Sequence, residues 1–219
     1  MIDQGPYSRN AVTGEDAYFL AWTTTPWTLP SNVALCVNPV ETYVKVKMNE
    51  DGTVYYIAQA LADTVLGEGS YTVLESYQGK DLEYKEYEPL FDFVSPKEKC
   101  WYVTCDSYVT LTDGTGIVHN SPGHGVDDYY VCMKEGMDVC MPVDDDGRFY
   151  NGDEFGAGGP FSGMDTDEAN PHIIQFLRDR GMLVAEVKIT HSYPHCWRCH
   201  HPIIFRATEQ WFCSIAKFR

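Results

Sequence analysis

The sequence predicts a mainly β (α+β) fold: a compact β-barrel with helices set on its outside. Three observations carry this. Short strand-like segments recur through the chain, amphipathic helical stretches are few, and turn signals separate neighbouring strands.

In chain order, residues 17–22 are an apolar run closed by Thr23, Thr24 and Thr25. Residues 42–47 (TYVKVK) alternate with the period of a half-buried strand. The Asn49-Glu50-Asp51-Gly52 turn returns the chain into residues 53–57 (TVYYI), so a hairpin is predicted. Residues 59–66 form a short helix ended by Gly67. Strands resume at 71–76 and 101–112, and a glycine-rich loop covers 113–125. Residues 127–137 read as helix, and 144–164, rich in Asp and Gly, as an irregular exposed excursion. The clearest helix follows, capped by Asn170 with Pro171 in its first turn. Ile173, Ile174 and Leu177 share a face, and Gly181 ends it. Residues 183–189 and 202–205 are strand-like. There is no internal repeat.

The 219 residues suffice for one sizeable core. No segment is apolar enough over sufficient length to cross a bilayer, and the N-terminus lacks the basic start and apolar run of a signal peptide, so a cytoplasmic protein is expected. The formal net charge is -16, with 16 Lys plus Arg against 32 Asp plus Glu. Phosphate binding needs clustered cations, so such a chain is not expected to grip nucleic acid unaided. Cys36, Cys100, Cys105, Cys132, Cys140 and Cys213 are scattered, often in apolar runs, and read as reduced, mostly buried thiols.

Three stretches carry chemistry. Residues 22–32, WTTTPWTLPSN, place three hydroxyls in a row beside an apolar wall. Hydroxyls both donate and accept, so the strip suits a ribose, a base edge or a water. On these residues alone the plainer reading, a β-branched strand end closed by a proline turn, stands ahead. The glycine-rich loop holds His119 and His124 and leads into Asp127 and Asp128. No Lys follows the glycines, so it is not a phosphate loop. A His-His-Asp metal site, a carboxylate counter-ion for an ammonium group, and simple compensation of the following helix's positive end all remain open. Third, Cys196 and Cys199 form a single CxxC, half of a structural zinc site, with no second pair in the chain; His195, His200 and His201 stand as candidate further ligands whose geometry the sequence does not fix. No GxSxG elbow or evident Ser or Cys nucleophile is present. A hydrolytic site here would use water as the attacker.

Together these stretches resemble the isoleucyl-tRNA synthetase family. The strip WTTTPWTLPSN (22–32), the loop GTGIVHNSPGHGVDDY (114–129) and HSYPHCWRCHHPIIFRATEQW (191–211) follow its order and spacing over nearly the whole chain. The valyl and leucyl families have similar domains without TTTPWTLPSN in this form. The HIGH and KMSKS signatures of the class I core are absent. The resemblance therefore implies that residues 1–219 are a single inserted editing domain, excised from its enzyme, with 190–210 a strand-like return segment toward the missing core. It implies hydrolysis of valine misattached to tRNA, with the 3′ end of aminoacylated tRNA and the rest of the synthetase as partners and no membrane. It assigns Thr24, Thr25 and Asp128 to catalysis, Asp128 holding the substrate ammonium. Trp22, Thr23, Asn32 and His119 fall to substrate binding, His119 walling the side-chain pocket. No cofactor is expected, and zinc on Cys196 and Cys199 would need ligands this chain lacks. The need for such a site is physical. One methylene is worth about 1–3 kcal/mol in a pocket, the isoleucine–valine pair being the standard illustration of that limit, so a second sieve multiplies selectivity.

Overall fold

The computed structural model describes residues 2–91, 93–150, 159–190 and 192–218. Its described strands are β1 (Ile2–Ala11), β2 (Tyr18–Trp22), β3 (Ala34–Val37), β4 (Thr42–Met48), β5 (Val54–Ala58), β6 (Tyr71–Gln78), β7 (Tyr102–Cys105), β8 (Ile117–Asn120) and β9 (Leu183–Thr190). The α-helices are α1 (Gln59–Leu66), α2 (Val126–Lys134) and α3 (Thr166–Asp179), and a 3-10 turn covers Pro26–Ser31. No helix among the described residues is long and apolar enough to cross a membrane.

The strands form one mixed sheet in the order β6-β4-β5-β2-β8-β3-β7, with β1 pairing both β2 and β9. The fold is mainly β with peripheral helices, as predicted, and the sheet curls into a half-barrel whose β7 is bordered beyond β3 by the isolated Glu86–Tyr102 bridge. It forks at β2. The start of β2 runs parallel to β5 through Tyr18 and Phe19, while its end meets β8, Trp22 opposite Val118. β8 in turn pairs antiparallel with β3, which sets Leu35 opposite His119. Phe19, Ala21, Leu35, Val37, Tyr43, Tyr56, Val103 and Ile117 fill the space enclosed by the curl. Leu20, Val44, Val46 and Ile57 bury the opposite face together with Ala62 of α1. Both faces of the central strands are thus dry, which holds their ends rigidly where the candidate site lies.

The predicted hairpin is β4–β5, and α1 has its predicted bounds, ended by Gly67 at φ 94. Four expectations are corrected. The long strand over 101–112 stops at Cys105. Beyond it the chain turns, with the Tyr108 amide donating to Asp106 Oδ1 (3.1 Å). The cap of α3 is Asp165, whose carboxylate accepts from the Glu168 amide (2.9 Å). Asn170 lies inside the helix and accepts instead from the Trp27 amide (2.9 Å). The excursion at 144–164 is not simply exposed, since Phe149 and Phe161 pack with Trp27, Phe91, Ile173 and Leu177, although its residues 151–158 lie outside the described residues. Finally, the return segment 190–210 is not a strand beyond β9. It is tied down by single contacts, the Ala207 amide to the Gly123 carbonyl (2.8 Å) and Arg206 Nε to the Val143 carbonyl (2.8 Å); His191 lies outside the described residues.

The strand missed in sequence is β1. Its inward positions include Ser8 and Asn10, at 2% and 1% exposure, so the alternation that marks strands is inverted in polarity there. All eight cysteines are free thiols. Cys36, Cys100 and Cys132 are buried as expected, whereas Cys213 is exposed.

Candidate active site

The parallel ends of β2 and β8 bring two loops together. Pro26 stops β2's continuation and folds the next residues into the 3-10 turn, which presents Thr23, Thr24 and Thr25 along one rim. Opposite, β8 delivers His119 and its loop leads into α2. The two enclose a cleft of ≈ 220 Å³ whose walls include Trp22, Thr23, Thr24, Thr25, His119 and Asp128. Six of the seven residues expected at the site therefore meet in one place. Thr24 and Thr25 also wall a larger adjoining cavity of ≈ 520 Å³ bounded by Trp27, Asn170 and Lys188.

Asn32 is the exception, being buried behind the cleft. Its Nδ2 donates to the Ala34 carbonyl (2.7 Å) and to His119 Nδ1 (2.8 Å), while its Oδ1 accepts from the Tyr87 hydroxyl (2.6 Å). It orients His119 and does not line the cleft. The polar partners also fix the histidine. A carbonyl only accepts, so the Asn32 amide must direct its N–H groups as found, and His119 Nδ1 is an acceptor. The proton then sits on Nε2 and is donated to Thr28 Oγ1 (2.9 Å), which passes its own hydrogen to the Thr25 carbonyl (2.9 Å). Thr28 has no further hydrogen to give, so at 3.2 Å Thr25 Oγ1 is the donor to it. Thr23 Oγ1 accepts from the Thr25 amide (3.1 Å). Burial, with a lesser contribution from His124, lowers the His119 pKa to about 3. His119 is thus a neutral, immobile wall with both nitrogens engaged.

Asp128 sits in the first turn of α2 with its side chain turned into the cleft, whereas neighbouring Asp127 faces solvent. The two aspartates divide the roles left open by the sequence: Asp127 lies at the exposed helix start and Asp128 in the cleft. Asp128 Oδ2 accepts from the Ser121 amide (2.9 Å), and Oδ1 from Asn120 Nδ2 (3.1 Å) and the Tyr108 hydroxyl (3.4 Å). Burial nevertheless dominates these bonds and raises its pKa to about 6. Gly125 makes the close approach possible, since a Cβ there would lie 2.5 Å from Asp128 Oδ2. Gly114, at φ +74, is needed both for its backbone and because a Cβ would strike the Trp22 ring.

Sequence reasoning missed Thr28, Ser121 and Gly125 in the cleft and Tyr108 and Asn120 behind Asp128. Thr28 was visible inside the threonine motif. Tyr108 carried no signal, because its role comes from the turn after β7. His124 was noted only as a possible metal ligand. Among the described residues no group of three His, Cys, Asp or Glu side chains is placed to hold a metal. Cys196 and Cys199 share a tight turn closed by the His200 amide to the Cys196 carbonyl (2.9 Å), and backbone amides of Cys199 and Arg198 lower the Cys196 pKa.

A forked half-barrel with these two loops at its fork has the fold of the synthetase editing domains. The crystal structure of the Plasmodium falciparum cytosolic leucyl-tRNA synthetase editing domain superposes with a TM-score of 0.64, covering 84% of this chain and 99% of that one at 11% identity. The P. knowlesi counterpart gives 0.61, covering 84% and 96% at 12% identity. In sequence the chain is similar, over nearly all its length, to isoleucine–tRNA ligases. That of Archaeoglobus fulgidus is 46% identical over 226 residues, covering 99% of this chain and 22% of the relative. Those of Clostridium tetani (42%, 94% of this chain, 19% of the relative) and Pyrococcus horikoshii (41%, 99% and 21%) agree. The chain spans about a fifth of the length of these relatives. No family model matches it.

Proposed function

We propose that the cleft hydrolyses the ester of valine misattached to isoleucine tRNA, acting as part of a cytoplasmic isoleucyl-tRNA synthetase. One observation carries this: a half-buried carboxylate faces a threonine strip whose hydroxyl directions are set by a neutral histidine. Asp128 receives the substrate α-ammonium, which loses its hydration on entry and needs a fixed opposite charge. With the Thr25 hydrogen committed to Thr28, its outward lone pairs accept from a ribose hydroxyl or a water. Thr24 and Thr23 complete that edge, and the adjoining cavity leaves room for the terminal adenosine. His119 closes the side-chain pocket against the extra methylene of isoleucine. An ester is already activated, so holding ammonium, ribose and water in register supplies much of the rate.

The net charge of -16 fits a domain to which tRNA is delivered by the rest of a synthetase, not one that captures it alone. Cys196 and Cys199 fit half of a zinc site. The ion would lend structural cross-linking there, with the remaining donors supplied from outside this chain.

The test is a non-hydrolysable valyl-adenosine analogue soaked into crystals of the chain, together with deacylation of valyl-tRNA by a full synthetase carrying this domain, where tRNA delivery does not limit the rate. Density joining Thr24 to Asp128 is expected. Binding elsewhere, or no valyl-tRNA hydrolysis above the spontaneous rate, overturns the reading.

A further inference from the structure

The two sides of the cleft, the threonine turn and the loop from β8 into α2, arrive from distant parts of the chain. Beside the Thr28–His119 contact, a further side-chain hydrogen bond crosses between them. Ser31 Oγ, at the end of the 3-10 turn, lies 2.6 Å from Ser121 Oγ, just after β8. Both residues are buried, at 0% and 1% exposure. The direction of the bond is determined. The Thr28 carbonyl only accepts, so the Ser31 hydroxyl gives its hydrogen to that carbonyl (2.9 Å). The Ser121 hydroxyl is then the donor to Ser31.

Each serine is also fixed to one working end of the cleft. The Ser121 amide donates to Asp128 Oδ2 (2.9 Å). Ser31 holds the Thr28 carbonyl, and Thr28 Oγ1 receives the Thr25 hydroxyl (3.2 Å). A continuous line therefore runs from the carboxylate to the threonine edge through Ser121, Ser31 and Thr28. Two alanines would fill nearly the same space without taking two hydroxyls out of water. What the paired hydroxyls add is a fixed direction and distance, since a fully satisfied buried network favours a single arrangement. Resting on the editing reading, we propose that the Ser31–Ser121 pair is a positioning tie. It sets the spacing between the ammonium carboxylate and the threonine hydroxyls, so that one substrate reaches both in register. Neither serine takes part in bond making or breaking; the pair acts through Asp128 and Thr28. The spacing matters because only the α-carbon separates the substrate ammonium from its ester carbonyl. The substrate cannot stretch to follow a displaced partner, and a misplacement of roughly 1 Å costs up to about 100-fold in rate.

The decisive variant carries both Ser31→Ala and Ser121→Ala. Removing both partners strands neither hydroxyl, and the Ser121 amide bond to Asp128 belongs to the backbone, so the fold should hold. Wild type and variant are compared in a full synthetase carrying this domain, by single-turnover deacylation of valyl-tRNA across enzyme concentrations. A wild type with no rate above the spontaneous one overturns the editing reading and this proposal with it. With an active wild type, the proposal expects the maximal rate to fall at least about tenfold. The half-saturating concentration should move by less than about threefold, because the lost contribution belongs to the transition state. Ser121→Ala alone should lose about as much as the double variant, since a line of bonds is cut at any one link. A double variant within about threefold of the wild-type maximal rate, or a near-normal Ser121→Ala beside a slow double variant, overturns the tie and leaves the editing reading standing. Crystal structures of the wild-type and doubly substituted chains separate positioning from a merely structural role. The tie predicts that Asp128 shifts relative to Thr25 by about 0.5 Å or more once the pair is removed. An unchanged separation overturns the proposal even where the rate falls.

Discussion

Replacing Asp128 with asparagine should make the domain more stable while removing the proposed ammonium site. Raising a carboxyl from its ordinary 3.8 to about 6 corresponds to about 3 kcal/mol of stability lost when the group ionises in the fold. The sign follows from proton binding. Between those two values the folded chain holds a proton that the unfolded chain has released, so stability falls as pH rises from 3.8 through 6. Asparagine has no such dependence. Its oxygen can take over the Ser121 amide, but its N–H groups would meet Asn120 Nδ2, so the Asn120 amide must turn. The buried Asn120 Oδ1, which has no partner, then becomes the acceptor. Allowing about 1 kcal/mol for that rearrangement leaves a net gain of about 2 kcal/mol above pH 6. For a chain of this size that is a rise in Tm of roughly 4–8 °C. Urea or thermal unfolding of both proteins across pH 3.5 to 7.5 measures it. The gap should be fully open somewhat above pH 6, close near about pH 4.5, and reverse slightly by pH 3.8 as the rearrangement cost alone remains. An asparagine variant less stable than wild type at pH 7.5, or a gap independent of pH, would refute the reasoning. The same titration predicts that affinity for a valyl-adenosine analogue weakens in wild type as pH falls through about 6.

His119→Ala should open the pocket so that isoleucyl-tRNA is hydrolysed as well as valyl-tRNA, at a cost of about 2–3 kcal/mol in stability from the lost bonds to Thr28 and Asn32. An unchanged ratio of the two deacylation rates removes it from the sieve. Gly125→Ala should displace the Asp128 carboxylate and lower activity at least tenfold with the fold retained, measured by deacylation and circular dichroism; full activity would show that the close approach is dispensable. Elemental analysis of the purified chain should find well under one tightly held zinc per molecule. One zinc per chain, lost in Cys196→Ser, would show that other donors in this chain complete the site.

The alternating TYVKVK segment and Gly67 announced the β4–β5 hairpin and α1 because local pattern alone decides them. The threonine strip and the His119–Asp128 loop were legible as unusual chemistry, and the family resemblance joined them. Their adjacency has no local signal: it comes from the single pairing of Trp22 with Val118, nearly a hundred positions apart. β1 escaped notice because its inward face carries Ser8 and Asn10, so the hydrophobic alternation is missing. Asn32 was placed in the pocket because it ends the motif. The antiparallel pairing of β3 with β8 instead sets it behind His119, where Tyr87 holds it. Asn170 failed as a cap because the helix begins earlier, at Thr166 behind the Asp165 cap, leaving the Asn170 oxygen free to accept from the Trp27 amide.

The fork at β2 divides labour. One strand ends in the threonine hydroxyls, which under the proposed function handle ester and ribose, features shared by every aminoacyl-tRNA. Its parallel neighbour leads into His119 and Asp128, which under the proposed function meet the amino acid itself. Because the two enter from separate strands and touch mainly through Thr28 and His119, the discriminating half can be altered while the ester-handling half stays in place. If the proposed function holds, redesign confined to Val118 and His119 should retune the sieve while Asp128 and the threonine edge stay in place.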